Sequence, residues 1–284
     1  MENLADIKVI KRILNGFGFK FSKSLGQNFI VDDSICPQMA ENLSENKNSG
    51  VIEIGPGIGV LTVQLAERFK KVVSVEIDKR LIPILKETTA EFANVKIINA
   101  DVLKTDLKKI IETEFKDFNE INICANLPYY ITSEIIMYIL ENEEININSL
   151  VLMLQKEAAE RICAQPGTRQ SGAISLAVRY YGEPEVLFSV NKESFTPSPK
   201  VDSCVIKINL KKSNSKIVKN KAKFFRVVKL AFLQRRKNIL NSLSSGIGKN
   251  KDEVKNILIS AGINPNFRAE QLRFEDFLKI SDLL

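Results

Sequence analysis

Val51-Ile52-Glu53-Ile54-Gly55-Pro56-Gly57-Ile58-Gly59 reads as a buried strand running into a glycine turn, and Val60 to Phe69 continues it as an amphipathic helix. Glycine has no Cβ, so a turn of this kind lets the backbone come close to a bound ligand. The unit resembles the start of a nucleotide-binding α/β sheet, but it is not the dinucleotide fingerprint G-x-G-x-x-G. Gly59 comes one place early, and Val60 stands where the third glycine belongs. With the acidic Glu53 ahead of the turn, the pattern points to a nucleoside cofactor that lacks a pyrophosphate. A glycine turn alone does not decide this; the strands that follow do.

The next apolar run, Lys71 to Asp78, carries Glu76 and Asp78 about where a doubly wound sheet sets a carboxylate against ribose hydroxyls. Ile77 beside them suits an adenine face. Asp78 has a second reading, as the cap of a helix spanning 79–92. Val95 to Ile98 is a third strand leading to Asp101 and Val102, and the Asp101 carboxylate can accept from an adenine amine. Ile121 to Ala125 is a fourth, and it ends in Asn126-Leu127-Pro128-Tyr129-Tyr130. Ligands of open α/β sheets bind outside the carboxyl ends of the strands, so Gly55, Glu76, Asp101 and Asn126 form a register of candidates.

The Asn126 side chain offers an acceptor and two donors, Pro128 stiffens the turn, and a tyrosine ring can stack on a base. That set reads as a clamp for an exocyclic amine, or else as a strand-to-helix turn with core tyrosines. Before the fold begins, 20–32 is a loop of amides, aromatics and basic residues that can close over a ligand or serve as a flexible entry. Later, Ser194-Phe195-Thr196-Pro197-Ser198-Pro199-Lys200 is stiffened by two prolines; Phe195 is a candidate second wall of a base pocket, and a rigid hairpin loop is the alternative.

The remaining chain reads as α/β followed by α. Helices are expected over 7–14, 34–43, 132–140, 156–164 and 171–181, a fifth strand over 149–155, and a closing strand pair over 185–190 and 203–210. Residues 211–223 suit a lysine-rich linker, and helical spacing recurs over 224–233, 235–240, 251–259 and 270–283. Domains are therefore expected at 1–210, with 1–33 as the N-terminal loop region, and at 211–284.

Composition narrows the chemistry. The 284 residues contain no histidine, which removes histidine triads, imidazole acid–base catalysis and most zinc sites. Four dispersed cysteines with no C-x-x-C pair suit a reducing compartment. The N-terminus lacks a secretory core and no apolar run approaches a membrane span, so a cytoplasmic chain without a membrane partner is expected. Net charge is +7, yet residues 191–284 hold 20 of the 41 Lys and Arg and only 8 of the 34 Asp and Glu. A basic third beside an acidic body suggests a polyanion partner.

Lys23-Ser24-Leu25-Gly26-Gln27-Asn28-Phe29, the glycine turn, Val75-Glu76-Ile77-Asp78, Asn126-Leu127-Pro128-Tyr129-Tyr130 and Phe195 to Ser203 together resemble the ribosomal RNA adenine N6-dimethyltransferases. Arg235-Arg236-Lys237-Asn238-Ile239-Leu240 looks like a C-terminal helix of the small-subunit, kasugamycin-resistance branch. The resemblance implies a Rossmann-like methyltransferase fold, with a mostly parallel sheet, an antiparallel closing strand and a small basic helical domain that binds RNA. It implies S-adenosylmethionine as cofactor, held by Asn28, Ile30, Gly55, Gly57, Glu76, Ile77, Asp101, Val102 and Asn126. Asn126 and the Leu127 carbonyl would accept hydrogen bonds from the target amine, with Tyr129 and Phe195 around the base. Lys200, Arg235, Arg236 and Lys237 would contact RNA. The implied reaction is dimethylation of two adjacent adenosines in a hairpin near the 3′ end of 16S rRNA, on a 30S pre-ribosomal particle, by a monomer without a metal. Alternatives are a large-subunit 23S rRNA dimethyltransferase conferring antibiotic resistance, and an rRNA-binding assembly checkpoint.

Overall fold

The structure, a computed structural model, describes residues 2–22, 25–142, 144–210 and 213–284. Lys23 and Ser24 of the N-terminal motif lie outside the described residues. The chain divides into two compact units, Met1–Ala159 with Glu185–Lys211, and Glu160–Pro184 with Lys212–Leu284. The segment 160–184, placed with the first domain by sequence, thus groups with the C-terminal helices.

In chain order the elements begin with α1 (Ile7–Gly16), β1 (Phe29–Ile30), α2 (Ile35–Leu43), β2 (Gly50–Ile54), α3 (Val60–Arg68) and β3 (Lys71–Glu76). Then come α4 (Ile82–Thr88), β4 (Val95–Asn99), α5 (Leu107–Glu114), β5 (Ile121–Asn126), α6 (Thr132–Glu141) and β6 (Ser149–Gln155). After α7 (Lys156–Cys163) and α8 (Ala173–Tyr181) follow β7 (Glu183–Val190), β8 (Phe195–Thr196) and β9 (Ser203–Asn209). The chain closes with α9 (Lys221–Leu233), α10 (Ile239–Ser244), α11 (Lys251–Ser260) and α12 (Phe274–Leu283).

Seven strands pair in the order β4-β3-β2-β5-β6-β9-β7 among the described residues. The first five are parallel, and β9 runs antiparallel to β6, with Ser149 opposite Asn209. This is the α/β, mostly parallel architecture expected from the sequence. Parallel strands are covered on both faces, which is why β2 is buried along its whole length. From β2 the chain winds outward to β3 and β4, then returns to place β5 on the other side of β2. The winding reverses between β2 and β5, and such a switch point leaves a crevice at the carboxyl ends of the strands.

Three local differences from the sequence reading have physical causes. Instead of spanning 79–92, α4 starts at Ile82, because the Asp78 carboxylate accepts the Arg80 N–H at 3.0 Å and holds a turn there. Pro83 falls in the first turn of the helix, where its missing N–H costs nothing. Helix α5 has only a short apolar stripe and no counterpart in the sequence reading; Asp106 starts it by accepting the Lys109 N–H. Arg235, Arg236 and Lys237 form an exposed turn, not a helix, because the Asn238 side chain accepts the Asn241 N–H and starts α10 afresh.

The second unit has its own aromatic core. Tyr180 of α8 lies 6.0 Å and 5.0 Å, ring to ring, from Phe224 and Phe225 of α9, and Phe224 lies 5.2 Å from Phe274 of α12. These contacts draw α8 to the C-terminal helices.

Candidate active site

At the switch point a cleft opens to solvent, lined by residues at and just after the ends of β2, β3 and β5 and by residues 25–30. Gly55 and Gly57 adopt φ of +69° and +63°, a conformation that strains any L side chain. A Cβ on Gly57 would also stand 3.1 Å from the Phe29 ring. The turn therefore depends on both glycines. Ile58 and Leu61 form buried parts of the lining, while Ile77 stays half exposed at the cleft, an apolar platform at a strand end.

Glu76 closes β3 with 4% of its surface exposed. One carboxylate oxygen accepts the Gly57 N–H at 3.3 Å and the other accepts the Asp78 N–H at 2.7 Å. Burial outweighs these bonds and pushes its pKa up to about 7. Glu53, fully buried in β2, is also pushed up to about 7 by burial. Its Oε2 accepts from Thr62 and Ser74 at 2.7 Å each, while Oε1 has no hydrogen-bond partner among the described residues. Glu53 does not line the cleft; it braces β2 against α3 and β3.

Residues 25–30 form one wall. Strand β1 pairs antiparallel with β8, Phe29 opposite Thr196 and Ile30 opposite Phe195. The Val31 N–H donates to the Ser194 carbonyl at 2.8 Å. The N-terminal loop and the proline-stiffened loop, each singled out in the sequence, are thus joined to one another. This pairing corrects the expectation for Phe195. Its side chain is 3% exposed and belongs to the core cluster of Ile30, Ile35 and Val190, so it does not line the cleft. A short strand opposite an apolar partner turns that ring inward.

Asn126 is the last residue of β5, and the Leu127 N–H donates to the Met153 carbonyl at 3.0 Å. Among the described residues no donor reaches the Leu127 carbonyl oxygen, and the Asn126 side chain has no intramolecular hydrogen bond. Pro128 uses its carbonyl to accept from Ile131 and from the Thr132 hydroxyl, which starts α6. Tyr129 is half buried, and its hydroxyl is 2.7 Å from that of Ser203. Burial raises the Tyr129 pKa, so the phenol stays protonated. Tyr130 faces solvent and packs 3.5 Å from a Cβ position on Gly26.

Of the expected site residues, Asn28, Ile30, Gly55, Gly57, Glu76, Ile77, Asn126, Leu127 and Tyr129 converge on this cleft. Asp101 and Val102 do not line it. Asp101 Oδ1 accepts the Leu103 N–H as the cap of a short 3-10 turn over Val102–Lys104, while Oδ2 lies 3.5 Å from the exposed Lys104 amine. The two nonetheless follow β4 directly, where the Ala100 N–H donates to the Glu76 carbonyl. Lys200 is exposed in the loop between β8 and β9. Gln27, Arg80 and Ser203 hold parts of the site together; Gln27 and Ser203 fall within the motifs quoted above, but the bonds are not readable locally, because the partners lie 51, 60 and 74 residues away. Among the described residues no helix is long and apolar enough to cross a membrane.

The sequence profile for ribosomal RNA adenine dimethylases matches residues 18–284. The chain belongs to the ribosomal RNA adenine dimethylase family. Among its relatives is the ribosomal RNA small subunit methyltransferase A of Bacillus licheniformis, 45% identical over 96% of this chain and 94% of the relative. The proteins of the same description from Geobacillus sp. and Bacillus mycoides are 44% and 42% identical, over 96% and 100% of this chain and 95% and 98% of theirs. Among solved structures, a dimethyladenosine transferase from Plasmodium falciparum superposes with a TM-score of 0.72 at 26% identity, covering 89% of this chain and 95% of that one. The 23S rRNA methyltransferase ErmE gives 0.68 at 26% identity, covering 90% and 99%. The Rossmann-like dimethylase fold expected from the sequence is the one observed.

Proposed function

We propose that this adenine dimethylase uses S-adenosylmethionine to dimethylate N6 of two adjacent adenosines in a hairpin near the 3′ end of 16S rRNA, on a 30S pre-ribosomal particle in the cytoplasm. The observation that carries the reading is the pair of uncommitted oxygens, Asn126 Oδ1 and the Leu127 carbonyl, beside the Tyr129 ring in the cleft that also holds Glu76 and Gly57.

The cleft fits the cofactor. A buried carboxylate at the end of β3 suits a vicinal diol, the glycine turn leaves backbone open to close approach, and half-exposed Ile77 suits a flat base. Glu76 would hold the ribose hydroxyls, Gly55 and Asn28 the methionine end, and Asp101 the adenine amine. Asp101 keeps Oδ2 for that amine, because its contact with Lys104 is a solvent-exposed ion pair of little worth. When bound, the cofactor supplies a methyl group on a positively charged sulfur, which the target amine displaces.

The chain's own part is to make that amine nucleophilic. The N6 lone pair is delocalised into the adenine ring. Each N–H of the amine donates a hydrogen bond, one to Asn126 Oδ1 and one to the Leu127 carbonyl, and this draws the lone pair back onto nitrogen and aims it. This is activation by fixed dipoles and positioning, and it needs no titrating base. It suits a protein without histidine. Tyr129 would stack on a base taken out of its helix; with Phe195 in the core and Phe29 packed on the glycine turn, Tyr129 is the ring of the cleft that follows the two acceptors directly.

The small-subunit reading is favoured by identity: 42–45% to proteins described as small-subunit methyltransferases, against 26% to the 23S enzyme. Mass spectrometry of rRNA fragments, after incubating the chain with cofactor and purified small or large particles, tests it. Dimethyladenosine confined to a 16S fragment is the expected result; its appearance in 23S fragments overturns the assignment.

A further inference from the structure

Arg80 stands outside the cleft, yet it gathers the polar bonds that fix one wall of it. Its guanidinium grips Asp78 with two parallel bonds, Nε to Oδ1 at 2.9 Å and Nη2 to Oδ2 at 2.6 Å. The third nitrogen, Nη1, donates to the Lys20 carbonyl at 3.1 Å. The Asp78 side chain is 5% exposed and that of Arg80 45%, so a buried anion is neutralised by a cation reaching in from solvent.

Asp78 passes this order on in two directions. Its Oδ2 accepts from the Gln27 side chain at 2.8 Å, and Gln27 in turn accepts the Ser22 N–H at 2.9 Å. Gln27 and its neighbours Gly26 and Asn28 line the cleft. On the other side the Asp78 N–H donates to Glu76, whose second oxygen holds the Gly57 N–H. An aromatic route runs in parallel. The guanidinium lies 5.0 Å from the centre of the Phe19 ring, Phe19 lies 6.2 Å from Phe29, and Phe29 packs against Gly57. Both routes end on backbone that faces the cleft.

We propose that Arg80 is a positioning residue for the cofactor: through the Asp78 fork and Gln27 it fixes the wall formed by residues 26–28, and so sets the affinity of the cleft for an S-adenosyl nucleoside. A forked guanidinium holds a carboxylate in one orientation, and a lysine ammonium at the same place does not. Without the fork Asp78 keeps the Arg80 main-chain N–H on Oδ1, but Gln27 alone is left on Oδ2, so the Gln27 acceptor and the approach of Asn28 are held less firmly. The inference rests on the cofactor reading above.

The test is calorimetric titration of the full chain with S-adenosylhomocysteine. Arg80→Ala is expected to raise the dissociation constant about 5- to 20-fold, and Arg80→Lys to fall between it and the unaltered chain. The KM for S-adenosylmethionine should rise in parallel, with kcat at saturating cofactor within about twofold. Gln27→Ala should weaken binding as well, and Arg80→Ala with Gln27→Ala together should be no weaker than the worse single variant, because both act through Asp78. Unchanged affinity in Arg80→Ala, or effects that multiply in the double variant, overturn the role of Arg80 and leave the cofactor reading intact. No binding by the unaltered chain overturns both.

Discussion

The hydroxyls of Tyr129 and Ser203 lie 2.7 Å apart, and they join the loop after β5 to the first residue of β9. Ser203 is fully buried, so the bond fixes the rim end of the Tyr129 ring to the sheet. Removing one partner leaves the other short of a bond, whereas removing both does not. Ser203→Ala and Tyr129→Phe should each lose about 1 kcal/mol of stability, and the pair together less than the sum. Tyr129→Ala should also lose stacking worth about 1–3 kcal/mol in RNA binding. Urea unfolding and RNA titration check these values.

Asn126→Ala removes one of the two acceptors without touching Glu76 or the glycine turn. Methyl transfer at saturating cofactor should fall by about 100-fold or more, on the scale of losing one oriented dipole at a reacting centre. Cofactor affinity should stay within about tenfold, a margin of about 1.4 kcal/mol. Single-turnover kinetics set against calorimetric binding separates the two. A normal single-turnover rate with lost cofactor binding would overturn the assigned role.

Glu76 links cofactor binding to pH. In the free chain burial holds its pKa at about 7, and ribose hydroxyls donating to the ionised form would lower it. Binding therefore releases a proton below neutrality. Affinity for S-adenosylhomocysteine should rise as pH increases from 6 towards 7, by at most about tenfold per unit, and level off above. Glu76→Gln should bind weakly and flatten this profile. Titrations at several pH values in two buffers of different ionisation heat would show the proton directly.

Arg235, Arg236 and Lys237 project from an exposed turn, and Lys200 from an exposed loop. As phosphate contacts they should contribute to affinity without reading sequence. Arg235→Ala with Arg236→Ala should weaken RNA binding and lower the slope of log affinity against log salt by about 1 to 2, with cofactor affinity unchanged. A slope equal to that of the unaltered chain would exclude these arginines as contacts.

The strands of the central sheet are legible because their apolar runs are continuous and end in polar residues that break the pattern. Glu76 and Asn126 stand at those ends as expected. The burial of Phe195 and its separation from the cleft are not legible, since both follow from its pairing with Ile30, 165 positions earlier in the chain. Nor is the turn at Arg235. Its spacing fits a helix, and the Asn238 cap that breaks it competes with that spacing only once Ile239 and Leu240 are buried. Likewise, α8 joins the second unit because Tyr180 and Tyr181 meet Phe225, and a local pattern carries no information about that partner.

Local order was written in the sequence: which stretches extend, where glycine must turn the chain, and which polar groups stand at strand ends. Side-chain alternation tells a strand which face to bury, but apolar strands of similar length are nearly interchangeable as neighbours. Only the packed sheet decided that β5 returns to the far side of β2. That choice brings the Asn126 carbonyl to 3.8 Å from where a Gly55 Cβ would stand, and so brings the amine clamp to the glycine turn.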